Sequence, residues 1–218
     1  MATYLSKSKR SLAFFFVSLF VSSSSWALNG MGLDYRLSTD FNLAKKFGVN
    51  VIEILRCPSD MSDLKWSITI AELSYKPISH VKLVAGYTLF LRGDMDHQVR
   101  NRYHLSASWL QTVGRVNLEA RTRFQSAYVA GTNTRIDGFR EKLKASMRQD
   151  KFLFFTFAEP FCDTRKDFSL CKVRFAGGVE YSLTSHHAVE AYYYYHLFRV
   201  QDPVNFPHLL GFGYSYSF

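Results

Sequence analysis

The sequence predicts an all-β chain closed into an antiparallel, transmembrane, up-and-down β-barrel, and three observations carry that expectation. Apolar and polar residues alternate with a period of two in one segment after another, the pattern of a strand with two different faces. The connections between those segments alternate between tight turns and long polar loops. The final segment sets aromatics at every second position and ends on Phe218.

Composition points the same way. Of 218 residues, 47% are hydrophobic and 17% aromatic, yet the mean hydropathy is −0.10. The apolar residues are therefore interleaved with polar ones. The longest apolar run, Leu12–Val21, is about half of the ~20 residues that a membrane-crossing helix needs.

In chain order, residues 1–27 read as a cleaved secretory signal peptide. Lys7, Lys9 and Arg10 make a positive start, Ser11–Val21 an apolar stretch, and Ser25-Trp-Ala27 a small-residue cleavage site. Residues 28–218 are then one barrel domain beginning at Leu28, placed in the bacterial outer membrane after passage through the periplasm. Removal of the three basic residues takes the formal net charge from +9 to about +6. In an exported chain that balance suits an anionic membrane surface, not nucleic acid. The expected partners are outer-membrane lipids and lipopolysaccharide, with the barrel-assembly machinery acting during biogenesis; the oligomeric state is left open.

The first alternating segment is Gly32–Leu43, with Leu33, Tyr35 and Leu37 opposite Asp34, Arg36 and Ser38. Phe47–Arg56 and Leu64–Lys76 follow, and in the latter the apolar phase flips after Ile70, which predicts a bulge near Ala71–Glu72. Val81–Arg92, Arg115–Gln125, Arg140–Met147 and Cys171–Leu183 alternate more cleanly, while Asn101–Gln111, Val189–Leu197 and the C-terminal aromatic segment complete the set. Phe152–Phe161 is apolar on both faces, so its orientation stays open. That makes eleven candidate strands, whereas bacterial single-chain barrels carry even numbers. Ten strands from Phe47 onward are therefore expected, or twelve if two have merged, with residues 28–46 an accessory strand or lumen insert. Trp66, Tyr75, Tyr103, Trp109, Tyr181 and Tyr195 fit interfacial girdles. Tyr214, Tyr216 and Phe218 form a C-terminal insertion signal resembling the one read by the outer-membrane assembly machinery.

Alternation assigns a lumen charge network: Arg102, Arg115, Glu119, Arg121, Arg123, Arg140, Lys142, Lys144, Lys172, Arg174, Glu180 and Glu190, with Lys82, Arg92 and His104 beside them. Eight strands enclose only side chains and sixteen an open channel, so ten fall near the filled end. A salt-bridged plug and a weakly anion-favouring path are the two readings of such a lumen. Of the three cysteines, Cys162 and Cys171 bracket a polar segment and are expected to form a disulfide, leaving Cys57 over. Their spacing fits no zinc pattern, and neither metal nor cofactor is expected.

No catalytic residue is assigned and no enzyme is expected. His104-x-Ser106 on one face, with Glu119 or Glu180, is reminiscent of a lipid A deacylase pair. Asp94, Asp96 and His97 are reminiscent of omptin proteases, and His186-His187 occupies a tight turn. A barrel hydrolase, or an adhesion barrel working through its long loops, is the alternative to a structural or narrow-transport role.

A succession of short motifs carries a family resemblance from Leu64 to Phe218, and more loosely from Leu33. It comprises Arg100-Asn-Arg-Tyr103, Leu118-Glu-Ala-Arg-Thr-Arg-Phe124, Phe139-Arg-Glu-Lys-Leu143, Phe155-Thr-Phe-Ala-Glu-Pro-Phe161, Arg174-Phe-Ala-Gly-Gly-Val179 and Gly211-Phe-Gly-Tyr214. The chain so read resembles the bacterial DUF2490 family. That resemblance implies an outer-membrane barrel without an established activity, and hence no catalytic residues to carry over. The cysteines are not part of the family's pattern.

Overall fold

The computed structural model describes residues 31–58, 64–93, 98–132, 135–164, 168–198 and 206–218. The signal segment, the Leu28 start and the loop residues Asp94, Asp96 and His97 lie outside the described residues. Those described form one closed sheet: β1 (Met31–Ala44), β2 (Phe47–Pro58), β3 (Trp66–Ile78), β4 (Val81–Arg92), β5 (Val99–Val113), β6 (Val116–Val129), β7 (Arg135–Gln149), β8 (Phe152–Asp163), β9 (Ser169–Ser182), β10 (His187–Phe198) and β11 (His208–Ser217).

The expectation of ten strands is corrected to eleven. β1 is neither accessory nor a lumen insert, because it pairs antiparallel with β2 and parallel with β11 from Met31↔His208 to Asp40↔Ser217. Without it, β2 and β11 would each present a row of unpaired N–H and C=O groups. The barrel is thus up-and-down everywhere except at one parallel seam. That seam is pinned where the chain ends. The Phe218 amide donates to the Asp40 carbonyl at 2.9 Å, and the Phe41 and Phe218 rings stack at 4.6 Å.

Following the paired residues once around the sheet from Arg135 returns to β7 at Gln149, 14 residues further along, a stagger that tilts the strands and widens the enclosed space. Short turns join strands at one end, with Gly114 (φ 60°) and Asp150 (φ 53°) supplying the left-handed conformation that tight hairpins favour. The longer connections lie at the other end. Because the strand number is odd, Met31 sits at the long-loop end and Phe218 at the short-turn end.

Register and burial divide every strand into two faces. The outward face carries large exposed apolar groups, among them Leu37, Leu105 (63% exposed), Leu143 (68%), Phe175 and Phe212. The inward face carries the charges. No bulge occurs at Ala71–Glu72; β2 and β3 pair without interruption from Phe47↔Tyr75 to Arg56↔Trp66. The apolar phase flips because Trp66, Ile68 and Ile70 point inward, into an apolar cluster with Ile52, Ile54 and Phe90. Trp66 is therefore a lumen residue and not part of a girdle. A second inward cluster gathers Ala176, Tyr192, Tyr194 and Leu209.

Tyr192 fits because β11 has glycine opposite it: a Cβ on Gly211 would collide with the Tyr192 ring, which is 2% exposed. Gly211→Ala is expected to lower the stability of the folded barrel by about 1–3 kcal/mol in urea unfolding. Gly177→Ala, whose Cβ would meet nothing nearer than the Phe155 carbonyl at 3.9 Å, is expected to be close to neutral in the same measurement.

Candidate functional site: the lumen charge network

The inward face gathers arginine, lysine and carboxylate side chains from every strand but β11. At its centre stands Glu159 of β8, 0% exposed. Three guanidinium groups from three strands converge on it: Arg121 of β6 at 2.6 Å, Arg140 of β7 at 2.9 Å, and Arg174 of β9. Isolated burial of such an anion would be prohibitive, and the arginines supply both charge and donors.

Glu72 of β3 is a second node. Its Oε1 lies 2.9 Å from His104 Nε2 and accepts from Arg123 Nη2 at 2.9 Å, while Arg123 Nε donates to Ser106 Oγ at 2.7 Å. Toward the long-loop end, Arg56 grips Asp34 through two bonds of 2.7 and 2.8 Å, and Asp34 is fully buried. Toward the short turns, Arg36 reaches Glu190 at 3.0 Å, Lys142 reaches Glu119 at 3.3 Å, and Ser108 Oγ donates to Glu119 at 3.0 Å. Arg148 approaches Glu180 at 3.6 Å there. A polar cavity of about 310 Å³ opens at this end, lined in part by Arg36, Asp40, Glu180, Glu190 and His187.

Several cations lie against rings instead of carboxylates. Arg102 sits 4.4 Å from the Phe90 ring centre, Lys172 and Arg140 each 4.3 Å from Phe161, and Lys144 5.1 Å from Phe155. The aromatic inward face of β8 (Phe155, Phe157, Phe161) is thus the bed on which the basic side chains rest.

Most of the predicted lumen residues come together in this network: Arg102, Glu119, Arg121, Arg123, Arg140, Lys142, Lys144, Lys172, Arg174, Glu180 and Glu190 all occupy inward register positions. Arg115 does not. It follows Gly114 in the exposed two-residue turn between β5 and β6, where alternation no longer applies. Sequence reasoning missed Asp34, Arg36, Arg56, Glu72 and Glu159. A lone carboxylate in the otherwise aromatic stretch Phe152–Phe161 was the available sign of the last.

The expected disulfide is corrected as well. Cys162 and Cys171 form no disulfide, and neither does Cys57. The register steps from Phe161↔Lys172 to Cys162↔Leu170, so Cys171 is the unpaired residue of a bulge and is not opposite Cys162. His104 and Ser106 share a face but no hydrogen bond links them; His104 faces Glu72, and Ser106 is held by Arg123. His187 meets the Tyr214 hydroxyl and His186 the Ser217 carbonyl. Among the described residues no group of three or more His, Cys, Asp or Glu could hold a metal ion. Among the described residues, two outward carboxylates are held by neighbouring hydroxyls: Glu53 accepts from Ser67 and Thr69, and Glu141 accepts from Thr122.

A family described as "Protein of unknown function (DUF2490)" matches residues 32–206. The chain belongs to this family. The matched span takes in β1 through β10 of the DUF2490 barrel, reaching further toward the N-terminus than the motifs from Leu64 and stopping before the Gly211–Tyr214 motif of β11. No curated protein matches. A solved porin structure is similar at 13% identity with a TM-score of 0.37, over 74% of this chain and 56% of that one. The chain therefore spans little more than half of that porin's length.

Glu159→Gln would leave three buried guanidinium groups around a neutral amide. The variant is expected to lose about 3–5 kcal/mol of folding stability, measured by urea titration of the refolded barrel. Glu141→Gln, at an exposed outward carboxylate, is expected to change it by less than about 1 kcal/mol.

Proposed function

We propose that this DUF2490 chain is an outer-membrane barrel with a structural role, conducting at most small ions through a rigid, narrow, basic lumen. The observation that carries the reading is a lattice of buried ion pairs on the inward face, which links strands up to three places apart around the wall. Glu159 ties β6, β7, β8 and β9 together, Glu72 ties β3 to β5 and β6, and Asp34 ties β1 to β2. On this reading the lattice narrows the aqueous path. It resists collapse or flattening of the barrel, which suits a wall element in lipid.

The outward face supports the membrane. Its exposed leucines, phenylalanines and tyrosines would be a very large apolar patch in water. In hydrocarbon they are the solvated surface, and a closed sheet satisfies its backbone internally. On this reading, outer-membrane lipid and lipopolysaccharide contact that face, and the barrel-assembly machinery handles β11 with its Tyr214, Tyr216 and Phe218. A secreted start at Leu28 belongs to the same proposal. It assigns no catalytic step, because Ser106 has an arginine and not a histidine on its hydroxyl.

Reconstitution of the purified chain into planar bilayers tests it. Conductance far below that of an open sixteen-stranded porin, or none, is expected; a large steady conductance would defeat the reading. Leu143→Arg is expected to destabilise the lipid-embedded barrel by about 2–4 kcal/mol, and full tolerance of arginine there would argue against a lipid-facing wall.

A further inference from the structure

Among the described residues the lumen's carboxylates do not balance its cations, and the imbalance is concentrated on the long-loop side. Asp34 is fully engaged by Arg56, and Glu159 is shared among three arginines. Arg102 of β5 and Lys172 of β9 have neither hydrogen bond nor ion pair among the described residues; their contacts are the rings of Phe90, Phe161 and Phe198. The charges that act most strongly on Arg102 are Arg100, Arg123, Arg140 and Arg174, and those on Lys172 are Arg56, Arg102, Arg140 and Arg174. All have the same sign as the groups they surround.

Donors are in excess too. The Nε atoms of Arg102, Arg140 and Arg174 are cut off from solvent and have no hydrogen-bond partner among the described residues. A ring face offsets part of the cost of burying a cation but accepts no N–H bond in a guanidinium plane. What would satisfy the layer is a compact group with negative charge and several acceptor oxygens. A guanidinium binds such a group in fork geometry, and an ammonium binds it as a point charge.

We propose that the loop-side lumen is a binding site for a phosphate-type oxyanion, held between Arg102 and Lys172 and backed by Arg140 and Arg174. This deepens the narrow-lumen reading and rests on it only for the placement of these residues inside the barrel. The ligand's phosphate belongs either to a soluble molecule or to a lipid headgroup reaching over the rim.

Thermal unfolding of the mature chain folded in detergent, followed by heat-dependent gel mobility, tests the proposal. Inorganic phosphate is expected to raise the wild-type midpoint by several degrees over chloride at equal ionic strength, since a ligand of the folded state stabilises by mass action. If only micelles doped with phosphatidic acid raise it, the headgroup is the source. No rise with either probe overturns the proposal. The Arg102→Gln/Lys172→Gln double variant is expected to lose the rise while Lys82→Gln, near the short turns, keeps it.

In phosphate-free buffer the double variant is expected to unfold at a higher temperature than wild type, because it relieves like-charge repulsion. A markedly lower midpoint there, or failure to fold, would make the two cations structural and also overturn the proposal. A barrel that is silent in bilayers yet stabilised by phosphate would refute conduction alone, and one that conducts yet ignores phosphate would refute only the site.

Discussion

Because neighbouring strands alternate in direction, an eleventh strand can meet the first only in parallel, and the closed ladder depends on that seam. The ten register pairs from Met31↔His208 to Asp40↔Ser217 satisfy two strand edges at once. Parallel pairing is slightly weaker per residue than antiparallel. Here it is reinforced from the sides. Arg36 of β1 reaches across β11 to Glu190 and to the Tyr194 hydroxyl of β10, and the glycines of β11 leave that crossing open. Interior chemistry thus stabilises the place where the wall is geometrically least favoured.

Once the sheet is closed, polarity has only one place to go. The outward face is apolar apart from groups such as Glu53 and Glu141 that are bonded to neighbouring hydroxyls. The interior must then absorb nearly all charge within a space that side chains largely fill. The result is a division by height: mixed pairs and an open polar cavity near the short turns, three-fold coordination of Glu159 in the middle, and surplus cations on aromatic rings above. A dry hydrophobic core would hold the barrel as firmly. Ion pairs add a fixed spacing between strands up to three places apart, because a broken pair leaves an uncompensated buried charge.

Much of the fold was legible because a strand's two faces differ by one residue, and no other regular structure repeats at that interval. The strands with a clean split, such as β6 with its row of Glu119, Arg121 and Arg123, were readable outright. Two of the misreadings share one physical origin, namely that the interior is not uniformly polar. Trp66, Ile68 and Ile70 point inward, so β3 imitated a bulge and hid Glu72. The inward phenylalanines of β8 disguised the face on which Glu159 sits. An expectation of even strand number set β1 aside, and Asp34 and Arg36 with it. Arg115 was placed by extending a period through a turn, where the backbone no longer follows it. The cysteine pairing failed on one inserted residue, which sequence spacing does not register.

The odd strand count has a further consequence for how such a wall is built. If strands cross a bilayer from the short-turn side, β2–β3, β4–β5, β6–β7, β8–β9 and β10–β11 can each travel as a looped couple with its bend leading. Among the described strands β1 has no such companion, and it travels singly. The last-made strand then docks against the first with both pointing the same way, so the finishing step joins a lone traveller to the trailing arm of a couple. Symmetric zippering of identical units cannot complete this ring.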